Sequence, residues 1–125
     1  MIKGMVIRES FANETIPPLL DNFVVERRQH TLAGVEKVHI VTVIVPTAEF
    51  LATLTETSLA LKPTRFYAHF VDGRSMYVVF PRSIVIVAAP DDDQSISLCR
   101  LLGQAFSIPE LQMNIPLMFK FGHSD

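Results

Sequence analysis

One cysteine, five separated glycines and no cluster of cations set the first limits on this chain of 125 residues. Cys99 alone cannot close an internal disulfide, and no further cysteine stands at metal-binding spacing. It sits among Leu98, Leu101 and Leu102, so a buried, inert thiol is expected, because apolar surroundings raise a thiol pKa. There is no Gly-x-Gly-x-x-Gly, no Gly-rich loop before a lysine and no Gly-x-Ser-x-Gly elbow. No stretch therefore has the means to cradle phosphates, and any reactive site must be assembled in space from distant segments.

Charge and hydropathy exclude more. Lysine and arginine number 11 against 13 acidic residues, a net charge of −2, and Arg27-Arg28 is an isolated basic pair. A nucleic-acid partner, which needs grouped cations to neutralise phosphates, is not expected. The longest apolar runs, Ile40–Pro46 and Ile84–Pro90, fall far short of the roughly 20 residues of a membrane-spanning helix, so no membrane partner is expected. Arg8 and Glu9 interrupt the apolar start before it reads as a secretory signal. A cytoplasmic location is expected.

What remains is strongly apolar. The hydrophobic fraction is 49% and the mean hydropathy +0.31, values incompatible with disorder. The length suits one domain, 1–125, that buries roughly two-thirds of its unfolded surface. So much apolar surface on a small chain predicts a homodimer.

The most informative stretch is Arg65–Phe80, where two aromatic and β-branched runs flank Asp72-Gly73. Asp-Gly supplies the positive φ of a tight hairpin turn. Upstream, Ile2–Arg8 reads as a strand, and Thr15 as the cap of a short helix begun by Pro17 and Pro18 and ended near Asn22. Phe23–Thr31 is charged enough for a solvated edge strand, with Val25, Arg27 and Gln29 on one face. Leu32-Ala33-Gly34 turns into Lys37–Val45, apolar on both faces as a central strand should be.

Thr47 is positioned to cap a helix whose buried face carries Phe50, Leu51, Leu54, Ser58 and Leu61, terminated by Pro63. After the hairpin and a strand at Ile84–Ala89, Pro90-Asp91-Asp92-Asp93 starts a second helix. Leu98, Leu101, Leu102 and Ala105 form its expected stripe. Residues 108–125 read as an apolar tail packed on the domain or on a partner, since exposure would invite aggregation. The order predicts an α+β fold: a mainly antiparallel sheet with two main helices on one face, of ferredoxin-like sandwich character.

On the hairpin, strand alternation puts Tyr67 and His69 on one face with Met76, Val78 and Phe80. They would form one wall of a shallow pocket with Arg65 at its rim, His69 being the candidate acid or base. Without a placed acid or metal, His69 is better accounted for as a half-exposed strand residue beside a core tyrosine. His39 shares a face with Val41 and Val43 and would approach His69 if their strands neighbour. Two imidazoles do not make a zinc site, which takes four ligands or three plus water. No metal and no cofactor are therefore expected. Arg8 and Glu9 end the first strand as a candidate anion-binding pair, or as a solvated ion pair worth under about 1 kcal/mol. The Asp91–Asp93 run lacks the alternating ligands of a calcium loop and reads as a helix start. His123 is assigned no role.

Several short segments resemble a family of small uncharacterised prokaryotic proteins. They are Lys3-Gly-Met-Val-Ile-Arg-Glu-Ser-Phe11, Leu61-Lys-Pro63 with Phe66-Tyr-Ala-His-Phe70, Met76-Tyr-Val-Val-Phe-Pro81, and Ser107-Ile-Pro-Glu-Leu-Gln-Met113. The chain departs in Phe66, where tryptophan is common, in His69, and in its apolar tail after Met113. The resemblance implies a compact α+β domain and brings no activity, cofactor or site residue.

Two functions fit these residues. One is a small homo-oligomeric binding or regulatory module that takes a small-molecule ligand near Arg65, Tyr67 and His69. The alternative is a cofactor-independent enzyme using His69 as acid or base, with Arg8 or Arg65 holding an anionic substrate.

Overall fold

A computed structural model describes residues 1–32 and 36–121. The turn expected at Leu32-Ala33-Gly34 falls from Ala33 onward outside the described residues, as does His123. The strands are β1 (Ile2–Ile7), β2 (Val24–Leu32), β3 (Glu36–Val45), β4 (Ala68–Asp72), β5 (Ser75–Phe80) and β6 (Ser83–Val87). The helices are α1 (Pro18–Asp21), α2 (Thr47–Ala60), α3 (Asp93–Ala105) and α4 (Ile115–Phe121), with short 3-10 turns at Arg8–Ser10, Ala12–Glu14 and Glu110–Gln112. The α+β order read from the sequence is the order observed.

All six strands join one antiparallel sheet in the order β2-β3-β1-β4-β5-β6. Because β3 and β4 both run antiparallel to β1 between them, β3-α2-β4 is a crossover split by the first strand. That split crossover is what the fold shares with a ferredoxin-like sandwich; the β4-β5-β6 meander and helices on both faces go beyond it.

The helices do not share one face, as the sequence had suggested. Tyr77 and Val79 of β5 pack with Phe50 and Leu54 of α2, whereas Met76, Val78 and Phe80 pack with Ile96 and Cys99 of α3. Alternating residues of one strand point to opposite faces, so each helix covers a different side. The physical reason is that β5 is apolar at every position from Met76 to Phe80, and both faces require cover. Ile108, Met113, Ile115 and Met118 complete the α3 side, so the tail segment up to Met118 packs on its own sheet.

Local chemistry sets the helix registers. The expected caps at Thr15 and Thr47 do not form: the N-caps are Pro17 and Pro46. Glu56, on α2, accepts from the Leu19 and Leu20 N–H groups, each at 3.2 Å, and so satisfies the start of α1 from across the fold. Asp92 caps α3 by accepting from the Ser95 N–H at 3.2 Å and also takes the Ala88 N–H at 3.0 Å. The buried stripe of α3 is Ile96, Cys99 and Gly103, with Leu98 and Leu101 exposed rather than buried. Small residues win that face because Met113 lies against Gly103, where an added Cβ would come within 3.3 Å of its Cγ. Burial, with a lesser contribution from the Asp92 charge, pushes the Cys99 thiol up to about 12, which makes it the inert core thiol expected. On α2, Leu51 is likewise exposed, and Thr53 and Thr57 are buried instead. Their hydroxyls donate to the Glu49 and Thr53 carbonyls, each at 2.8 Å, which removes the cost of burial.

The hairpin forms with its two-residue turn one position later than Asp72-Gly73. Asp72 pairs with Ser75, leaving Gly73-Arg74 as the turn, and Gly73 has the positive φ of 59° that its first central position favours. At the far edge, β2 carries an irregularity between Val24 and Glu26. Beyond it, Arg27 and Gln29 face the same side as Val41 and His39.

A candidate site at the end of the first strand

Of the residues singled out on the hairpin, Tyr67 lies against the C-terminal segment. Tyr67 donates its hydroxyl to the Gln112 carbonyl and lies 3.4 Å from the Met118 sulfur. His69 is 8% exposed and its ring is 6.5 Å from that of Tyr67. Arg65 is exposed, pairs with Glu36 at 3.1 Å and lies over the Phe66 ring. The expected pocket wall is thus roofed by the protein's own chain. His39 and His69 do not approach: His39 shares the face of Val41 and Val43 on the α2 side, whereas His69 opposes Val78 and Met5 on the other. Among the described residues no group of three or more His, Cys, Asp or Glu is arranged to hold a metal ion.

Arg8 and Glu9 meet His39 instead. The β1–β3 ladder ends at Ile7 opposite Ile40, so the next residues along β1 arrive beside His39. A 3-10 turn at Arg8–Ser10, held by the buried Ser10 hydroxyl donating to the Ile7 carbonyl, swings Glu9 inward. One Glu9 oxygen accepts from the His39 backbone N–H at 2.8 Å and the other lies 2.6 Å from His39 Nδ1. Arg8 sits 3.1 Å from Nδ1 and 3.6 Å from the Glu9 carboxylate. Nδ1 cannot both donate to Glu9 and accept from Arg8. The shorter contact to an ionised carboxylate assigns the proton to Nδ1. Nε2 is then the acceptor, 3.4 Å from the Gln29 amide nitrogen.

The carboxyl of Glu9 is tuned by this enclosure. Burial pushes its pKa upward, but hydrogen bonds from the His39 backbone and ring outweigh it and leave it below its ordinary 4.5. The folded state therefore favours the ionised form. Glu9 stabilises the fold above that ordinary value, and its contribution is lost as pH falls through the lower folded pKa. Glu9→Ala is expected to cost about 2 kcal/mol at neutral pH and to flatten the acid limb of stability. Denaturant midpoints of both proteins measured from neutral pH down to pH ~3 check this; parallel curves would contradict it.

Beside this dyad a recess of about 250 Å³ is lined by Arg8, Glu14, Thr15, Ile16, Asp21, Arg27, His39 and Val41. No family model, curated protein or solved structure matches the chain. The recess must be understood from its own residues. Arg27 and Asp21 neutralise each other at 3.0 Å. Arg8 Nε is buried without a hydrogen-bond partner, a donor costly to leave unmatched. Two consecutive rim residues, Asn13 and Glu14, hold positive φ of 58° and 52°. That is a conformation costing side-chain-bearing residues about 1 kcal/mol or more each and typically kept where surrounding structure over-determines it. Sequence reading singled out Arg8 and Glu9 but placed His39 with the wrong partner, and it missed Glu14 and Asp21. No spacing signals a recess built from five segments.

Proposed function

We propose that this protein is a small binding module whose ligand seats in the recess beside Arg8, Glu9 and His39. It rests on one arrangement: the Arg8 guanidinium, held against a Glu–His pair, lines a recess of about 250 Å³ together with His39. That volume is just below the roughly 300–1,000 Å³ of drug-sized ligand sites, which limits the occupant to a small molecule. Arg8 offers a planar donor set suited to a carboxylate, and Glu14 stands across the same recess as an acceptor for an ammonium. The chemistry is that of a small zwitterion, such as a free amino acid.

The test is an NMR titration of the full chain with pooled amino acids and, separately, small dicarboxylates. Amide shifts confined to Arg8, Glu14, Thr15 and His39 are expected. Arg8→Gln should weaken binding by about 10-fold or more, the loss of one charge-assisted hydrogen bond. Shifts that persist unchanged in Arg8→Gln, or no shifts with either pool, would sink the proposal.

A second function is favoured by the Glu9–His39 geometry alone. A carboxylate that fixes Nδ1–H leaves Nε2 as a base, so acid–base chemistry without a cofactor belongs to His39 rather than to His69. Turnover of a bound ligand that disappears in His39→Gln, with binding retained, would establish it.

A further inference from the structure

The two edges of the sheet are built differently. β2 displays Glu26, Arg27, Arg28 and Gln29, charges and amides that discourage strand addition. β6, the opposite edge, reads Ser83-Ile-Val-Ile-Val87, with no charge and no proline. Edge strands present unpaired backbone N–H and C=O groups, and an uncharged, β-branched one is an open template for pairing.

Apolar surface continues from that edge onto the helices. Ile84 and Ile86 are 39% and 54% exposed on the α2 side of β6. A shallow groove joins Ile84 to Thr55 and Leu59 of α2, and a second runs on along Leu51, Thr55 and Leu59. Leu51 and Leu59 are 76% and 65% exposed. On the other face, α3 packs on β6 and leaves Leu98 and Leu101 exposed one turn apart. On its α2 side the edge is therefore flanked by exposed aliphatic side chains, Ile84, Ile86 and Leu59.

We propose that β6 and this flanking strip are where a second copy of the chain docks, the two β6 strands pairing antiparallel about a two-fold axis. Charge favours a copy of the same chain over an unrelated partner. Exposed Arg82 directly precedes β6, and exposed Asp91 and Asp93 follow it within six residues. Antiparallel pairing centred on Val85 brings Arg82 of each copy to the end of the strand that leads into the aspartates of the other. The surface is thus complementary to itself, as an isologous interface must be. The proposal is independent of the recess beside His39.

Sedimentation velocity on the full chain across the micromolar range tests it. The wild type should sediment at twice its 14.0 kDa mass. Ile86→Lys should weaken the dimer by about 100-fold or more, as truncation at an interface centre does, with an unchanged circular dichroism spectrum. Leu59→Lys, on an exposed helical position, serves if Ile86→Lys fails to fold. Arg82→Glu should weaken association, and adding Asp91→Arg should restore it. Val25→Lys on the β2 edge should change nothing. A monomeric wild type, a dimer indifferent to both lysine variants, or a dimer broken by Val25→Lys would each overturn the assignment. The monomeric outcome would leave the strip to a different protein.

Discussion

A chain ending at Ser107 is expected not to fold. Ile108, Met113, Ile115 and Met118 are 5%, 2%, 0% and 0% exposed and cover the α3 side of β5 with Val78 and Phe80. Burying each such side chain is worth about 1.5–3 kcal/mol, so the four together contribute on the order of 6–12 kcal/mol. That matches the whole stability of an ordinary domain, roughly 5–15 kcal/mol. The truncation also strips the Tyr67 hydroxyl of its Gln112 acceptor. Circular dichroism and a denaturant titration of the shortened chain provide the check. A cooperative transition at the wild-type midpoint would mean that the segment is an accessory rather than part of the core.

Gly4→Ala is expected to destabilise the protein by about 2–3 kcal/mol, the upper range for overpacking a filled core. Gly4 lies opposite Phe70 in the β1–β4 ladder, and a Cβ there would fall 2.4 and 2.5 Å from two carbons of the Phe70 ring. The ring has nowhere to retreat. It is fully buried and packs edge-on against Phe50 at 5.5 Å. Phe70→Ala alone should cost about 3–5 kcal/mol through the cavity it leaves. The double variant should be less damaging than the sum, because the new methyl enters space that the ring vacates. A coupling near zero in that double-mutant cycle would show that the two positions relax independently.

How much of this was legible in the chain depends on the range of the force involved. The hairpin at Asp72-Gly73 and the helix start at Asp92 are local: a positive φ or a side-chain cap is decided within four residues. The unbroken apolar runs of β3 and β5 also announced strands covered on both faces. What those runs did not say is which helix covers which face. The α3 stripe was misread because leucines are the obvious buried residues, whereas Gly103 and Cys99 let the helix approach Met113 and the sheet more closely. Leu98 and Leu101 were thereby left outside. Glu9 and His39 are 30 residues apart, and nothing in either neighbourhood encodes that the β1–β3 register ends where one can reach the other.

The sequence by itself determined the fold class, the order of elements, the inertness of Cys99 and the absence of any local motif for phosphate or metal. These follow from composition, periodicity and turn chemistry, which act over a few residues. Tertiary structure alone decided that the helices cover opposite faces, that Tyr67 lies against the C-terminal segment and that His69 is buried. It likewise decided that Arg8, Glu9 and His39 form one site. Each of those outcomes depends on strand register and on competition between helices for the same apolar surface. Those interactions are minimised over the whole molecule, so no short stretch of the chain contains the answer.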